Sequence, residues 1–431
     1  MALDAERESA TFSIDTMRNE LNGGAEMSQF KQDIMDELDA LVADGDACLP
    51  DDDADRPAAR QQVMRMVSVQ YKRLQLDAAV SPLKRQARLE LLSLFDPSWH
   101  TRNGVHFGLW LGAIQGQGSD EQIEEWLAPS LFFQIFGCFA MTELGHGSFV
   151  RGLETTATYD PTTETFDLHS PTLTATKWWI GGAAHTATHA AVFAQLVLPD
   201  GSRPGVHTFV CPLRSRDDHS LLPGVSAGDC GHKFGRNGID NGWLRFEHVR
   251  LPREALLCKH ASVDTDGTFT RRGARQLQYR ALIGARATMV MDSAQWLKAA
   301  VTIAVRYLAV RHQGAPLVPG GGEPALLDYA TVQTRLMPLL ATTYALSFTS
   351  LYMKNRAAPP GMTVSRSEAQ DSAEEEAALP DLHATCAGLK AFATWACYHG
   401  IDTCRQAMGG MGYSGYTGLP RMLADFAVQC T

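Results

Sequence analysis

Residues 191–198 read Ala-Val-Phe-Ala-Gln-Leu-Val-Leu, and a Pro-Asp-Gly triplet follows at 199–201. Val and Phe favour β-strands, and Pro-Asp-Gly is typical of a turn. Apolar residues occupy both alternating sets of positions in the run, whereas a strand with one face in water alternates apolar and polar residues. We therefore expect a β-strand at 191–198 that is buried on both of its faces.

Similar short runs occur on both sides of this segment. They lie at 173–179, 206–211 and 243–249, and turn signals such as Asp-Asn-Gly at 240–242 separate them. Short strands divided by turns are the pattern of an all-β domain. The sequence therefore predicts a central β-domain over residues 136–272 that is antiparallel and barrel-like.

The residues before this region have helical spacing instead. One set of apolar residues recurs at intervals of three and four, which places its members on one face of a helix: Met27, Phe30, Ile34, Leu38 and Leu41. The acidic stretch at residues 50–55 is predicted to be a loop between helices. We expect an N-terminal helical domain without strands.

Helical spacing returns after the β-region. Gly284 is the only glycine or proline from 274 to 313, so one helix of several turns is predicted there. Further helices are predicted at 326–353 and 384–408. Pro338 is expected to kink or divide the first of these two, because proline cannot donate a backbone hydrogen bond.

Two segments between these helices are predicted to be exposed loops. One is the glycine-rich stretch 314–324, and the other is 357–380, which contains three consecutive glutamates and is expected to be disordered in part. The complete prediction is an α+β fold. Its proposed domains are an N-terminal helical domain (1–135), a β-domain (136–272) and a C-terminal helical bundle (273–431).

Composition excludes several classes of protein. The chain has 431 residues, of which 45% are hydrophobic and 20% charged, as in a globular enzyme rather than a disordered chain. Its net charge of −10 offers no electrostatic footprint for nucleic acid. No apolar run approaches the ~18 residues of a membrane span. The nine cysteines contain no CxxC pair, which favours reduced, packed thiols over a disulfide framework.

Two short patterns have a familiar spacing without the expected context. Residues 410–415 read Gly-Met-Gly-Tyr-Ser-Gly, but a helix rather than a strand is predicted before them, which disfavours a dinucleotide-binding fold. The glycines still allow a flat or phosphorylated ligand to approach the backbone closely. His185 and His189 have the i, i+4 spacing of a metal-binding pair, but no further ligands converge on them, and no metal site is predicted.

Two adjacent tryptophans, Trp178 and Trp179, stand at the end of a predicted strand. Their side chains are expected to point to opposite faces, so that one can be in the core while the other is free to stack. Gly181 and Gly182 follow and leave space for a ring or a phosphate. From residue types alone core packing is the favoured interpretation, and stacking on a ligand stays open.

Several motifs in a fixed order resemble those of peroxisomal acyl-CoA oxidases, which belong to the wider acyl-CoA dehydrogenase family of flavoproteins. The resemblance covers nearly the whole chain. Its motifs are Met141-Thr-Glu-Leu-Gly-His-Gly147, the run from Arg151 to Asp160, Lys177-Trp-Trp-Ile-Gly-Gly182, Asp229-Cys-Gly-His-Lys-Phe-Gly235, Asp240-Asn-Gly242, Arg311-His-Gln313 and Gly409-Gly-Met-Gly-Tyr-Ser414.

The resemblance implies an acyl-CoA dehydrogenase-like fold and a bound FAD. Some residues match flavin contacts of the family, and others match positions that reach FAD across a dimer interface, where an arginine suits a pyrophosphate. The glycine turn is expected to close on the same cofactor. The candidate cofactor-binding residues are Thr142, Trp179, Gly181, Arg311, Gln313, Gly409 and Gly410.

The resemblance also implies a reaction. A base removes the α-proton of a fatty acyl-CoA, FAD takes the β-hydride, and molecular oxygen reoxidises the flavin, which yields trans-2-enoyl-CoA and hydrogen peroxide. The expected partners are fatty acyl-CoA, oxygen and a second copy of the chain, and the expected compartment is the peroxisome.

The expected base is not found in these residues. In similar enzymes it is a glutamate in a stretch resembling Cys-Thr-x-Glu-Gly, and it would come two residues after Thr431. We therefore predict no catalytic residue in this chain and expect the family's final helical domain to be missing from it. Glu143 lies in the flavin-contact motif and is not a substitute. Met411 also replaces a histidine that is common at that turn.

Three explanations stay open: a truncated oxidase, which we favour, one half of a split enzyme, and a non-catalytic subunit that binds FAD or acyl-CoA. An acyl-CoA dehydrogenase that uses a protein electron acceptor is the alternative enzyme. The run 151–160 and the paired tryptophans favour the oxidase.

Overall fold

The computed structural model describes residues 3–44, 55–272, 280–316, 318–357 and 373–431. Within them the fold is α+β, as the sequence predicts: helices come first, then a β-region, then a second set of helices. The predicted acidic loop lies almost entirely outside the described residues.

The first third of the described chain is helical. A π-helical segment, Gly104–Trp110, interrupts it where it meets the β-region. Ile34 and Leu38 lie in the core of this part, which confirms the predicted helix face. The helices are α1 (Asp4–Glu8), α2 (Ile14–Asn22), α3 (Ala25–Ala43), α4 (Arg56–Val80), α5 (Pro82–Phe95), α6 (Pro97–Asn103), α7 (Leu111–Gln117) and α8 (Asp120–Leu131).

The β-region consists of a six-stranded sheet, a three-stranded sheet and a small two-stranded sheet. The six-stranded sheet has the order β1-β5-β2-β3-β9, with β6 paired to β5, and the three-stranded sheet has the order β4-β8-β7. The strands are β1 (Gly137–Ala140), β2 (Thr156–Asp160), β3 (Thr165–His169), β4 (Lys177–Gly181), β5 (His189–Val197), β6 (Gly205–Pro212), β7 (Val225–Asp229), β8 (Asn241–Phe246), β9 (Val249–Pro252), β10 (Ala261–Val263) and β11 (Phe269–Arg271).

Strand β5 confirms one prediction and corrects another. Its first six residues are all buried, as expected of a strand covered on both faces. The β-region is not wholly antiparallel, however, because β1 and β2 both pair with β5 in parallel. Each parallel pairing needs a long crossover, and the chain between β2 and β5 supplies it by passing through β3 and β4.

The second helical region contains long helices. Its core is an apolar cluster around Trp296 and Leu297. The helices are α9 (Arg280–Val310), α10 (Ala330–Ala357), α11 (Ala373–Ala407) and α12 (Leu419–Phe426).

Two details of this region differ from the prediction. Helix α10 is continuous through Pro338, so the proline does not divide it. Packing of its apolar residues against α9 offsets the one backbone hydrogen bond that proline removes. Of the predicted loop 357–380, residues 358–372 lie outside the described residues, and the part from Ala373 onward is helical, because alanine and glutamate favour helix strongly there. The segment 314–323 is exposed where it is described, as predicted, whereas Pro324 at its end is buried.

Helices α9 and α11 run in the same direction. Arg286 lies 3.2 Å from His383, measured from Nη1 to Nδ1. Further along both helices, Leu297 packs against Gly400. Because both contacts advance towards the C-terminus together, the C-terminal ends of the two helices lie at the same end of the bundle. In the described part of the chain, no helix combines the length and apolar character needed to cross a bilayer.

Candidate functional site

The loop after β1 is joined to β4 by a short polar link. The hydroxyl of Thr142 donates to the carbonyl of Trp178 at 2.7 Å, and the amide of Trp178 donates to the carbonyl of Thr142 at 3.0 Å. Thr142 is half-buried beside this strand. The structure therefore brings two of the predicted cofactor-binding segments into direct contact.

Beneath this link lies a buried ion pair. Lys177 Nζ is 2.9 Å from Glu143 Oε1, and both side chains are 0% exposed. Lys177 also donates to the carbonyls of Met141 (3.1 Å) and Phe193 (2.6 Å). A buried charge is tolerated only when it is paired and hydrogen-bonded, and this lysine meets that condition. The pair fastens the Thr142 loop to β4 and to β5.

Glu143 accepts further hydrogen bonds from the next loop. The amides of Glu154 (2.7 Å) and Thr155 (3.0 Å) and the Thr155 hydroxyl (2.6 Å) all donate to its carboxylate. Burial alone would raise the pKa of Glu143, but the Lys177 ammonium and these hydrogen bonds together lower it. Burial lowers the pKa of Lys177 to about 8, against the attraction of Glu143. Glu143 is thus a fully engaged structural carboxylate.

Strand β4 carries an irregularity at Trp179. The register with β8 shifts between Lys177 and Ile180, and Trp179 has φ +66°. A bulge of this kind turns a side chain out of the normal alternation. The indole of Trp179 is 55% exposed, which makes the core-packing interpretation wrong for this residue.

The glycines after Trp179 are required by close packing. A Cβ at Gly181 would lie 3.0 Å from Val105 and 3.1 Å from Ile239. Gly182 has φ +86°, and a Cβ there would lie 3.1 Å from the guanidinium carbon of Arg102. Side chains at these two positions would push β4 away from Val105, Ile239 and Arg102, so the glycines allow β4 to pack closely against these residues.

Residues at the start of β8 complete the edge. The Asn241 side-chain amide donates to the carbonyl of Trp179 at 3.1 Å. The carboxylate of the buried Asp240 accepts from the amides of His185 (2.8 Å) and Thr186 (2.9 Å), and its carbonyl accepts from Gly182 N at 2.8 Å. We call Thr142, Trp179 and Gly181, with the residues that hold them, the β4 edge.

A second group of predicted residues lies in the helical bundle. Arg311 and Gln313 are exposed in the turn after α9. The turn is held by hydrogen bonds from Gln313 N to the carbonyl of Pro324 (3.1 Å) and from the Tyr329 hydroxyl to the carbonyl of Gln313 (2.9 Å). The guanidinium of Arg311 therefore projects from a turn of fixed backbone.

Gly409 and Gly410 form a 3₁₀ turn directly after α11. Gly409 has φ +60°, and a Cβ at either glycine would meet no atom within 4 Å. The element directly before this turn is helix α11 rather than a strand, which agrees with the rejection of a dinucleotide-binding fold. Because α9 and α11 are parallel, this turn lies at the same end of the bundle as Arg311.

The structure thus gathers the predicted residues into two groups. Thr142, Trp179 and Gly181 share the β4 edge, while the other four lie at one end of the bundle. Among the described residues, no hydrogen bond or ion pair joins the two groups. His185 and His189, the pair with metal-like spacing, are in different surroundings: His185 is exposed near Asp229, and His189 is buried beside Trp126.

The β4 edge suits a flat ring with a polar rim, as the isoalloxazine expected from the resemblance has. The exposed indole offers a surface for stacking, and the glycines remove side chains beside it. The Thr142 hydroxyl donates to the protein, but its oxygen keeps lone pairs that accept a hydrogen bond.

Sequence reasoning missed the residues that hold this edge. Lys177, Asp240 and Asn241 appear in the quoted motifs, yet their roles depend on partners far away in the chain. Lys177 stands in a predicted strand beside two tryptophans. Because a lysine is rarely buried without a partner, its place in this apolar strand was the one available signal of a buried ion pair.

Three family models match consecutive parts of the chain. Residues 13–136 match the acyl-coenzyme A oxidase N-terminal domain, residues 138–249 match the acyl-CoA dehydrogenase middle domain, and residues 279–431 match the acyl-CoA oxidase C-alpha1 domain.

Curated relatives match along the whole chain. Acyl-coenzyme A oxidase 2 of Yarrowia lipolytica is 41% identical over 100% of this chain, which covers 61% of that relative. Peroxisomal acyl-coenzyme A oxidase 1 of Homo sapiens is 39% identical over 100% of the chain, which covers 63% of it. The chain therefore spans about three fifths of the length of these relatives.

Solved structures also superpose on this chain along its whole length. Acyl-CoA oxidase 3 from Yarrowia lipolytica superposes with a TM-score of 0.87 at 41% identity, over 100% of this chain and 62% of that one. Acyl-CoA oxidase-2 of Caenorhabditis elegans, bound with FAD, ascaroside-CoA and ATP, superposes with a TM-score of 0.87 at 33% identity, over 100% and 63% of the two chains.

Proposed function

Because this chain belongs to the acyl-CoA oxidase family, we propose that it supplies the FAD- and acyl-CoA-binding part of an enzyme that oxidises fatty acyl-CoA to trans-2-enoyl-CoA and reduces oxygen to hydrogen peroxide. The observation that carries the proposal is the β4 edge, where an exposed tryptophan, a threonine hydroxyl and a glycine adjoin above a buried ion pair.

The residues of the β4 edge would hold the flavin ring. Trp179 would stack against it, and Thr142 would accept a hydrogen bond from its polar rim. Glu143 and Lys177 would keep the Thr142 loop at a constant height above β4. The chemistry that FAD would supply when bound there is acceptance of the hydride from the β-carbon of the acyl thioester and transfer of the electrons to oxygen.

The bundle residues would serve the same cofactor from a second copy of the chain. Arg311 is exposed and has the geometry to pair with a pyrophosphate, and Gln313 and the turn at Gly409 and Gly410 lie at the same end. We therefore propose a homodimer. The glutamate that removes the α-proton remains a prediction from the resemblance, at a position that follows Thr431.

Two further assignments rest on the family. We propose the domain limits 1–135, 136–272 and 273–431, which agree with the change from helices to strands and back. We also propose a peroxisomal location, because the mammalian relatives are named peroxisomal oxidases.

Reconstitution with FAD tests the proposal. We expect the purified chain to take up FAD and to show flavin absorption at about 450 nm. We expect Thr142→Ala to lower the affinity for FAD. The matched control Thr162→Ala, at an exposed turn, should leave that affinity unchanged. If the wild-type chain takes up no FAD, the proposed cofactor site is wrong.

Catalysis is tested separately, in a protein that also contains the region after Thr431 from which the expected base would come. Oxygen consumption with peroxide release on addition of acyl-CoA supports an oxidase. Turnover that requires an artificial electron acceptor and releases no peroxide would instead identify a dehydrogenase.

A further inference from the structure

The loop between β7 and β8 touches both helical parts of the molecule. Gly238 N donates to the Ser98 hydroxyl of α6 at 3.2 Å. Gly235 lies so close to α12 that a Cβ there would be 2.5 Å from the carbonyl oxygen of Ala424. This loop, residues 230–240, is therefore wedged between the N-terminal helices and the last helix.

Arg236 makes the polar contacts at this junction. Its backbone amide donates to Asp425 Oδ1 at 2.5 Å, and its Nε donates to the Asp425 carbonyl at 2.7 Å. Its Nη1 donates to the Thr101 hydroxyl at 2.8 Å. Asp425 is 3% exposed. Arg236 of the β-region thus forms hydrogen bonds with both α12 and α6.

The backbone of Arg236 is strained. Its φ is +51°, in the left-handed region that residues with a Cβ seldom adopt. Such a conformation persists only where surrounding contacts hold it, and it tends to occur where function requires a fixed geometry. The hydrogen bonds of Arg236 to Asp425 and Thr101, and the one that its carbonyl accepts from the Ile239 amide, are those contacts.

The far end of the same loop supports the β4 edge. Asp240, four residues after Arg236, accepts the hydrogen bond from Gly182 N, and Asn241 donates to the carbonyl of Trp179. A displacement of α12 would therefore pull on Arg236 and reach Gly182 and Trp179 through five residues of chain.

We propose that Arg236 is a positioning residue that fixes α12, and the chain that follows it, relative to the β4 edge. The proposal rests on the proposed function, because the alignment matters only if the β4 edge holds FAD and the residues after α12 reach the substrate. The hydrogen bonds from Arg236 to Asp425 join α12 to the loop that supports the β4 edge.

Hydrogen exchange measured by mass spectrometry on the full chain tests the coupling without any cofactor. In Arg236→Met we expect exchange in α12 and at the Gly182 amide to rise by at least about tenfold, since charge-assisted hydrogen bonds are lost at one end of a continuous loop. The matched control Arg250→Met, an exposed arginine of β9, should change neither.

Arg236→Gly separates the contacts from the strain. Glycine adopts a positive φ freely, so this variant relieves the backbone strain while it removes the guanidinium. We expect α12 to lose protection in this variant as well. If α12 keeps its protection, the guanidinium does not hold the helix and the proposal is wrong.

The flavin gives the readout that a purely structural role would not move. We expect the absorption maximum of bound FAD to shift in Arg236→Met and to return in Arg236→Lys, which restores a cation. A rise of exchange confined to α12, with Gly182 and the flavin spectrum unchanged, would overturn the proposal. If wild-type protein binds no FAD, the proposed function fails, while the exchange at Gly182 still decides the coupling.

Discussion

The two halves of the candidate site are built in different ways. At the β4 edge, hydrogen bonds and a buried ion pair from β4, β5, β8 and the adjoining loops hold Thr142 and Trp179, and the glycines are packed against other atoms. At the end of the bundle, Arg311 and Gly410 project from turns with open space around them. The β4 edge is therefore preorganised within the chain, whereas the end of the bundle is exposed to a partner or a ligand.

The largest effect should come from breaking the ion pair of the β4 edge. Lys177→Met leaves the Glu143 carboxylate buried without a cation, and we expect the free energy of unfolding to fall by about 3–5 kcal/mol. Urea denaturation measures it. The matched control is Arg405→Met, which removes an arginine from a pair with Asp402 on α11 whose side chains are 25% and 32% exposed. That loss should be about 0–1 kcal/mol. Equal losses would contradict the contrast between the halves.

Helix α9 of the bundle carries a buried carboxyl group, Asp292, whose titration should appear in the pH dependence of stability. Burial raises the pKa of Asp292 from an ordinary value of 3.8 to about 7. Between those values the folded protein keeps a proton that the unfolded chain has released, so stability falls as the pH rises through the window.

Asp292→Asn cannot release that proton, so it should gain stability relative to wild type as the pH rises, by up to about 1.4 kcal/mol per pH unit. Thermal unfolding measured from pH 4 to pH 8, about the span of the window, gives the difference. Asp217→Asn, at an exposed carboxylate, should leave the wild-type slope unchanged. A parallel slope for both variants would show that Asp292 is ionised throughout.

The same glycine-to-alanine change should destabilise one half of the site and leave the stability of the other nearly unchanged. Gly181→Ala places a methyl group 3.0 Å from Val105, and we expect a loss of about 1–3 kcal/mol because the strand must shift. Gly410→Ala meets no atom within 4 Å, and its effect should stay within about 0.5 kcal/mol. Differential scanning calorimetry measures both, and a neutral Gly181→Ala would mean that β4 yields easily.

The smallest effect on stability should come from Arg311→Ala, within about 0.5 kcal/mol because the side chain is exposed. Its effect on FAD should be larger, a loss of affinity of about tenfold, since an arginine pairs strongly with a pyrophosphate. Equilibrium dialysis measures the affinity, and Arg335→Ala, also exposed in the bundle, is the control. If the partner copy supplies Arg311, dilution of the wild type should weaken FAD binding too. Unchanged affinity in Arg311→Ala would remove this residue from the site.

The sequence allowed prediction of those features that depend on local pattern. The double burial of β5 follows from apolar residues at both sets of alternating positions, and the long helices follow from helical spacing with few glycines. The helix at residues 373–380 was missed because three glutamates suggest solvent, although alanine and glutamate also favour helix. Pro338 does not divide α10, because packing against α9 outweighs one lost hydrogen bond.

The candidate site was predictable only in part, for a physical reason. Motifs indicated Thr142 and Trp179, but the link between them depends on the approach of β1 to β4, which no local pattern reveals. The exposure of Trp179 depends on a bulge, and alternation along a strand cannot predict a shift of register. The grip of Arg236 on Asp425 joins residues 189 positions apart.

The bulge at Trp179 also exposes an indole whose fluorescence can report on the β4 edge. Of its eight tryptophans, Trp99, Trp110 and Trp296 are among the most deeply buried side chains, whereas Trp179 and Trp395 are 55% and 49% exposed. The emission of Trp179 should therefore be red-shifted and accessible to iodide. An acceptor chromophore stacked on the same indole would quench it by energy transfer, so the difference in fluorescence between wild type and Trp179→Phe would follow occupancy of the β4 edge in real time.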